Sequence, residues 1–431
     1  MIPDCLSTPP RWTQCPVAKV PPRPRGTARP VRYDPPLRRH LTGGSVSALQ
    51  RCYNVEDFRH RARRKLPAPL FHYIDGGADD ERTLRANTLA FDQYPLVPRI
   101  LRDVTHTDLR TRVLGCDVAL PLLLAPTGMS RFFHYQGELA VARAAATFGT
   151  LYSLSTVSTT TIEDVARATS GPKLFQLYVL RDPGINDELI DRCKAAGFNA
   201  LCLTVDTVVQ GNRERDLRTG MTVPPALTAQ SFASFFARPQ WCYRFLTSPR
   251  LQMANVAHRI AEGSTQVSSL ASYINGQFDR ALNWAAAERI RARWQGPFAI
   301  KGVLCAEDAR RAADIGATAV IVSNHGGRQL DGVPAPIEVI AEIADAVGGR
   351  LEIILDGGVR RGTHVLRALA RGATACMMGR PYLYGLAAGG QAGVERVLEL
   401  LRAEIERGMI LSGRPRIADI DASLIRGGRV G

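Results

Sequence analysis

Residues 298–324 read Phe298-Ala-Ile-Lys-Gly-Val303, then Leu304-Cys-Ala-Glu-Asp-Ala-Arg-Arg-Ala-Ala-Asp-Ile-Gly316, then Ala317-Thr-Ala-Val-Ile-Val-Ser-Asn324. An apolar run is followed by a segment with apolar residues at three- and four-residue spacing, and then by a second apolar run. That is the pattern of one βαβ unit of a parallel sheet. Gly316 suits the left-handed residue that closes the helix. Outward from this unit the rhythm repeats. Candidate strands are Leu120 to Ala125, Leu151 to Ser155, Leu174 to Val179, Ala200 to Asp206, Phe298 to Val303, Ala319 to Asn324, Glu352 to Asp356 and Thr374 to Met378. Helical stretches run from Glu138 to Phe148, Asn186 to Ala196, Glu307 to Ile315, Ile337 to Ala346 and Thr363 to Ala370, and Gly149, Gly197 and Gly372 close three of them. Eight strands with crossover helices predict an α/β fold, a (β/α)8 barrel.

The domain plan follows from composition. With 431 residues, 45% hydrophobic and 22% charged, the chain can bury one large core. Its formal charge is +15, and residues 1–50 contribute +6 of it through eight Lys/Arg against Asp4 and Asp34. Ten of the 27 prolines lie in the same segment. Such chain buries little apolar surface, so residues 1–50 are expected to be a disordered basic extension and residues 51–431 the barrel. The extension reads either as an arm attracted to anionic lipid or as a solvated tail or over-long translation start. No apolar run approaches the roughly 20 residues that span a bilayer, and no signal-peptide pattern opens the chain. A cytoplasmic protein is expected, with peripheral contact at the inner face of the membrane as an option and no nucleic-acid partner. The nine cysteines are odd in number and contain no C-x-x-C, which points away from a disulfide framework or a zinc site.

One connection breaks the rhythm. About 90 residues separate the fourth and fifth strands, an insertion at about 207–282 containing Arg238-Pro-Gln-Trp-Cys-Tyr-Arg-Phe-Leu246. Loops of that length are usually functional or mobile. It is expected to be a long inserted loop. Either it is a lid or membrane-facing element with Trp241, Tyr243 and Phe245 as anchors beside Arg238 and Arg244, or it packs as an ordinary helix on the barrel or another subunit.

In such a barrel the active site lies at the strand C-termini. Ser155, Gln176, Tyr178, Thr204, Asp206, Lys301, Ser323, Asn324, His325 and Asp356 all fall within or just beyond apolar runs. Each buried polar atom needs a partner to offset its desolvation, so ten at equivalent positions mark a site. Asp356-Gly-Gly-Val-Arg-Arg361 and Gly379-Arg380-Pro381 follow the seventh and eighth strands, where barrels commonly hold phosphate. Ser323-Asn-His-Gly-Gly-Arg-Gln-Leu-Asp331 places His325 and Arg328 on one loop. The imidazole can accept a proton near neutral pH, and the guanidinium can clamp a carboxylate. Asp206 can stabilise the imidazolium, and Arg213 offers a second carboxylate contact. The implied substrate is a small carboxylic acid. His72 is expected to be a packing residue; His134 is a weaker candidate for lining the pocket.

These blocks resemble the FMN-dependent 2-hydroxy acid dehydrogenases and oxidases, the family of glycolate oxidase, L-lactate dehydrogenase and mandelate dehydrogenase. The likeness runs from about Tyr53 to the last helix. It rests on residues 323–331, on Phe-Gln-Leu-Tyr at 175–178, Leu-Thr-Val-Asp at 203–206 and Lys-Gly at 301–302. The resemblance implies FMN as cofactor and a small (S)-2-hydroxy acid as substrate. By it, His325 is the base, Asp206 stabilises its charged form, and Tyr178 hydrogen-bonds the substrate oxygen. Tyr73, Arg213 and Arg328 hold the carboxylate. Lys301 stands near the flavin N1/O2 edge, where a cation favours electron acceptance. Pro126, Thr127 and Gly128, with Ser155, Gln176, Thr204 and Ser323, form the flavin cradle, and Asp356, Gly358, Arg360, Gly379 and Arg380 contact the ribityl chain and phosphate.

The electron acceptor is a quinone, another carrier or O2. Gly128 stands where oxidases of the family often carry alanine, and Arg213-Glu-Arg-Asp216 with Pro239-Gln-Trp241 looks like the membrane-associated dehydrogenases. Val157 resembles the lactate dehydrogenases more than glycolate oxidase. L-lactate is therefore the first choice, mandelate or a larger acid the second, and a peroxide-forming oxidase the third. A phosphate-binding isomerase or a non-catalytic barrel is the reading of a different class. A homo-oligomer, commonly a tetramer, is implied by the resemblance alone.

Overall fold

The computed structural model describes residues 48–221, 228–259 and 278–426. The expected extension at 1–50 lies, up to residue 47, outside them, as do parts of the expected insertion. Eight strands, β1 (Leu122–Thr127), β2 (Tyr152–Ser155), β3 (Lys173–Tyr178), β4 (Ala200–Thr204), β5 (Phe298–Val303), β6 (Ala319–Ser323), β7 (Glu352–Asp356) and β8 (Ala375–Met378), form a closed barrel in sequence order. Every pairing is parallel, and β8 closes on β1 with Cys376 opposite Leu122. The barrel interior packs Leu123, Leu174, Ala200, Cys202, Ile321, Ile354 and Met377, while the outward residues meet the surrounding helices. Burial on both faces is why these strands read as continuous apolar runs rather than alternating ones. The helix-closing glycines behave as their positions require: Gly149, Gly197 and Gly316 have φ of +61°, +68° and +78°.

Two features outside the repeats complete the barrel. A short antiparallel pair, Thr111–Val113 with Cys116–Val118, places Val113, Leu114 and Val118 against the interior cluster, and the Leu114 N–H donates to Glu352 Oε2 at 2.6 Å. Glu352 begins β7, so the pair closes the end opposite the strand C-termini. At the N-terminal side the helix Val55–Lys65, capped by Asn54, buries Val55, Phe58 and Ala62 and packs on the terminal helix Arg380–Leu411.

The helix Arg82–Leu89 has no side-chain cap of its own. Asp331 supplies one from the loop after β6, accepting from Thr83 N at 2.7 Å and Arg82 N at 3.1 Å. One turn on, the buried amides of Asn87 and Asn324 pair reciprocally at 2.8 and 2.7 Å. Asn87→Ala removes one partner from each end of the Asn324 amide, which keeps the Pro334 carbonyl and the Gly327 N–H, and it is expected to destabilise the fold by about 1 kcal/mol, read as a lowered urea midpoint at unchanged slope.

In its described residues the long connection is in good part helical. It carries the helices Glu214–Thr219, Ala229–Phe236 and Pro239–Thr247, forming a helical arm. Trp241 faces the barrel, its indole N–H donating to the Phe132 carbonyl at 2.9 Å, and its ring stacks on Phe245. Tyr243 turns outward, as do Phe232, Phe236 and Leu246, the last two 72% and 79% exposed. Of the three anchors expected, Trp241 packs inward, Tyr243 faces solvent, and Phe245 does some of each. No helix among the described residues is long and apolar enough to cross a membrane.

Candidate active site

The C-terminal ends of the strands enclose a cleft lined by Tyr73, Pro126, Thr127, Gly128, Val157, Tyr178, Arg213, Lys301, His325, Arg328, Asp356, Gly358, Arg360, Gly379 and Arg380. Ser155, Gln176, Thr204 and Ser323 lie buried in the strand ends beneath it, and Asp206 just follows β4. The expected site residues therefore converge on one place.

His325 adopts φ +57°, a left-handed conformation that costs a non-glycine residue about 1 kcal/mol. Its backbone N–H donates to Ser323 Oγ at 3.1 Å, and Gly326 and Gly327 continue the left-handed turn. This turn aims the imidazole into the cleft. Nδ1 lies 3.0 Å from Asp206 Oδ1 and Nε2 lies 3.3 Å from the Tyr178 hydroxyl. A carboxylate accepts only, so Nδ1 carries the proton and Nε2 is left as the base. Burial pushes the His325 pKa below the ordinary histidine value, with Lys301 and Arg213 adding to the fall and Asp206 opposing it. Burial opposes ionisation of Asp206 too, but His325 and Lys301 hold its pKa below the usual carboxylate value. The pair is thus a neutral imidazole beside a carboxylate, ready to accept a proton.

Lys301, in the middle of β5, is 3% exposed. Its ammonium donates to Ser323 Oγ at 3.1 Å and lies 3.1 Å from Asp356 Oδ2. Burial opposes its charge, yet Asp356 and Asp206 hold its pKa above the ordinary lysine value. It is a fixed cation in the wall of the cleft. Beside it, Ser155 Oγ donates to Gln176 Oε1 at 2.8 Å, which orients the amide. Gln176 Nε2 and Thr204 Oγ1 are buried and have no protein partner among the described residues. Unspent buried polar atoms beside a fixed cation fit a planar polar ring such as that of a flavin.

Opposite lie two guanidinium groups. Arg328 donates through Nη1 to the carbonyls of Tyr73 at 2.6 Å and Gly76 at 2.9 Å, and sits over the Tyr73 ring. Burial, with Arg213 next in effect, presses its pKa below the ordinary arginine value. Arg213 Nε is buried without a partner among the described residues. Beyond the buried Asp216 carboxylate nearby, the lowered pKa of Arg328 and the unspent Arg213 Nε fit a further anion between them.

At the ends of β7 and β8, Arg380 donates from all three guanidinium nitrogens to the carbonyls of Ile74, Gly326 and Gly76, at 2.8 to 2.9 Å. A guanidinium has five N–H groups, so two remain for an anion. Gly358 is needed for space: a Cβ there would meet the Asn87 carbonyl at 1.8 Å. Gly128 is likewise constrained, since a Cβ would lie 2.6 Å from Val157 Cγ2. Gly128→Ala is expected to weaken flavin binding about 10-fold through this overpacking, and adding Val157→Ala is expected to restore it in a fluorescence titration.

Three supporting groups escaped the sequence reading. Asn87 carries no local signal. Glu138, fully buried, accepts from Ser130 N, Thr159 N and the hydroxyls of Thr159 and Thr160, holding the loops after β1 and β2. Asp75 binds Arg59, Arg215 and Tyr384, joining the Tyr73 helix to the arm that carries Arg213. A charged residue inside an apolar stretch was the available clue for Glu138 and Asp75. His134 lines a neighbouring cavity rather than the cleft.

Known proteins resemble this chain in sequence and fold. An L-lactate dehydrogenase of Caulobacter sp. (strain K31) is 43% identical over 373 residues, covering 86% of this chain and 98% of that protein. Glycolate oxidase 1 of Oryza sativa subsp. indica is 42% identical over 367 residues, covering 85% and 94%. The crystal structure of the monotopic membrane protein (S)-mandelate dehydrogenase superposes with a TM-score of 0.84 at 37% identity, covering 88% of this chain and all of that one. The FMN-dependent dehydrogenase family matches residues 62–427, and with the closed barrel and the His325, Asp206, Arg213 and Arg328 constellation this places the chain in that family, as an FMN-dependent α-hydroxy acid dehydrogenase or oxidase.

Proposed function

We propose that the protein oxidises L-lactate to pyruvate and passes the electrons to a quinone or another carrier. The observation that carries the chemistry is His325, held between Asp206 and Tyr178 and sharing one cleft with the Arg213 and Arg328 pair. Arg328 and Arg213 bind the substrate carboxylate, and Tyr73 walls that end. This orients the hydroxyl-bearing carbon toward His325, whose Nε2 accepts a proton while Asp206 stabilises the resulting imidazolium. Tyr178 donates to the substrate oxygen. FMN, when bound, supplies the two-electron acceptor. Gln176, Thr204 and Lys301 would hold its ring, and Arg360, Arg380 and the backbone at Gly358 and Gly379 its phosphate and side chain.

The short side chain at Val157, beside Gly128, supports a small substrate, and the Caulobacter L-lactate dehydrogenase supports lactate. The test is anaerobic stopped mixing with L-lactate, glycolate and L-mandelate while flavin absorbance is followed, then addition of oxygen or a quinone analogue. Fastest bleaching by lactate with faster reoxidation by the quinone is expected. Faster bleaching by glycolate or mandelate replaces the substrate, and faster reoxidation by oxygen replaces the acceptor.

The outward Phe232, Phe236, Tyr243 and Leu246 of the arm favour a second proposal, contact with a membrane surface. Phe236→Ser with Leu246→Ser is expected to shift the protein from the membrane fraction to the supernatant. An unchanged distribution would remove the arm from that role.

A further inference from the structure

Apart from the cleft, a cavity of about 440 Å³ lies where the helix Val55–Lys65 meets the arm, lined in part by His60, Arg63, Arg64, His72, Ser234 and Arg238. None of its lining residues is Asp or Glu. Glu56, 3.5 Å from His60, is outside the lining and is engaged by Arg59 at 2.7 Å. Exposed arginines are ordinary on a basic protein, but two nitrogens here are not solvated: His72 Nδ1 and Arg238 Nε are buried and have no protein partner among the described residues. Buried polar groups left unmatched are costly, and Arg63, Arg64 and Arg238 line the cavity with no carboxylate among the lining residues. Arg64 and Arg238 also line the adjoining larger cavity, where Lys65 and Arg244 add charge against the one carboxylate of Glu395.

We propose that the cavity binds the phosphate group of an anionic ligand, either a phospholipid headgroup or a soluble phosphate ester. Arg63, Arg64 and Arg238 supply the charge, and Arg238 and His72 supply the buried nitrogens. A phosphate offers several acceptor oxygens and matches the planar fork of arginine, whereas one carboxylate brings a single charge to three cations. None of these residues lines the active cleft, so the site is separate from that for the hydroxy acid.

The test uses the FMN-loaded full chain, the double variant Arg63→Gln/Arg64→Gln, the single variant Arg238→Gln on a different segment, and the control Arg289→Gln/Arg310→Gln. Calorimetric titration with inorganic phosphate forms one arm. Flotation with phosphatidylglycerol vesicles, against phosphatidylcholine vesicles, forms the other. Binding in either arm that falls at least 10-fold in both cavity variants and not in the control is expected. Loss confined to the vesicle arm identifies a headgroup, and loss in the phosphate arm identifies a soluble ester. No binding by the native protein in either arm, or equal loss in the control, overturns the proposal. Flavin bleaching by the hydroxy acid stays native in the cavity variants, which separates their effect from misfolding and from any failure of the proposed reaction.

Discussion

His325→Asn is expected to slow anaerobic flavin bleaching about 10⁴-fold while the protein stays yellow. Asparagine is the suitable replacement because it tolerates the left-handed backbone that His325 occupies. The loss then reports the missing base rather than a distorted turn. The native rate should rise with pH and level off below the ordinary histidine pKa of 6.5, since burial lowers the value for His325. Asp206 acts against that lowering, so Asp206→Asn is expected to move the acid limb to still lower pH while reducing the plateau rate. A limb that stayed in place would remove Asp206 from direct coupling to the imidazole.

Arg328→Met is expected to lower kcat/KM about 10³-fold, because a buried carboxylate would lose a charge-assisted partner. Most of the change should appear in KM, since the carboxylate is held alike before and during the reaction. Arg328→Lys keeps the charge but cannot both donate to the Tyr73 and Gly76 carbonyls and present a fork to the substrate. It should recover little. An unchanged KM for both variants would show that Arg213 alone holds the carboxylate.

The barrel was legible because a strand buried on both faces leaves a continuous apolar run, and eight such runs alternate with helical stretches, evenly except across the long connection after the fourth. The flanking pair Thr111–Val113 and Cys116–Val118 was not, since three residues show no period. The helices at Val55–Lys65 and Arg82–Leu89 carry mixed polarity, and the second draws its cap from Asp331, far along the chain. Polar residues within or just beyond apolar runs pointed to His325, Asp206, Lys301 and Gln176, because only function or pairing keeps such groups there. Asn87 stayed hidden because its partner, Asn324, is remote in sequence. Length marked the insertion but left a lid and a packed helix equally open, since which aromatic faces inward, as Trp241 does, depends on partners such as Phe132 that are remote in sequence.

The reciprocal Asn87 and Asn324 amides, together with the Ala78 N–H donating to the Gly327 carbonyl at 2.8 Å, bear on how the enzyme matures. Residues 73 to 87 leave the ribosome early, yet the loop they brace follows the sixth strand and is made late. The first wall of the cleft must therefore wait, undocked, for most of the barrel to be synthesised. Long-range closures of this kind are slow relative to local ones. Closing the barrel, with Cys376 set opposite Leu122, joins ends of the chain just as remote, so catalytic competence should appear together with barrel closure during refolding and not before it.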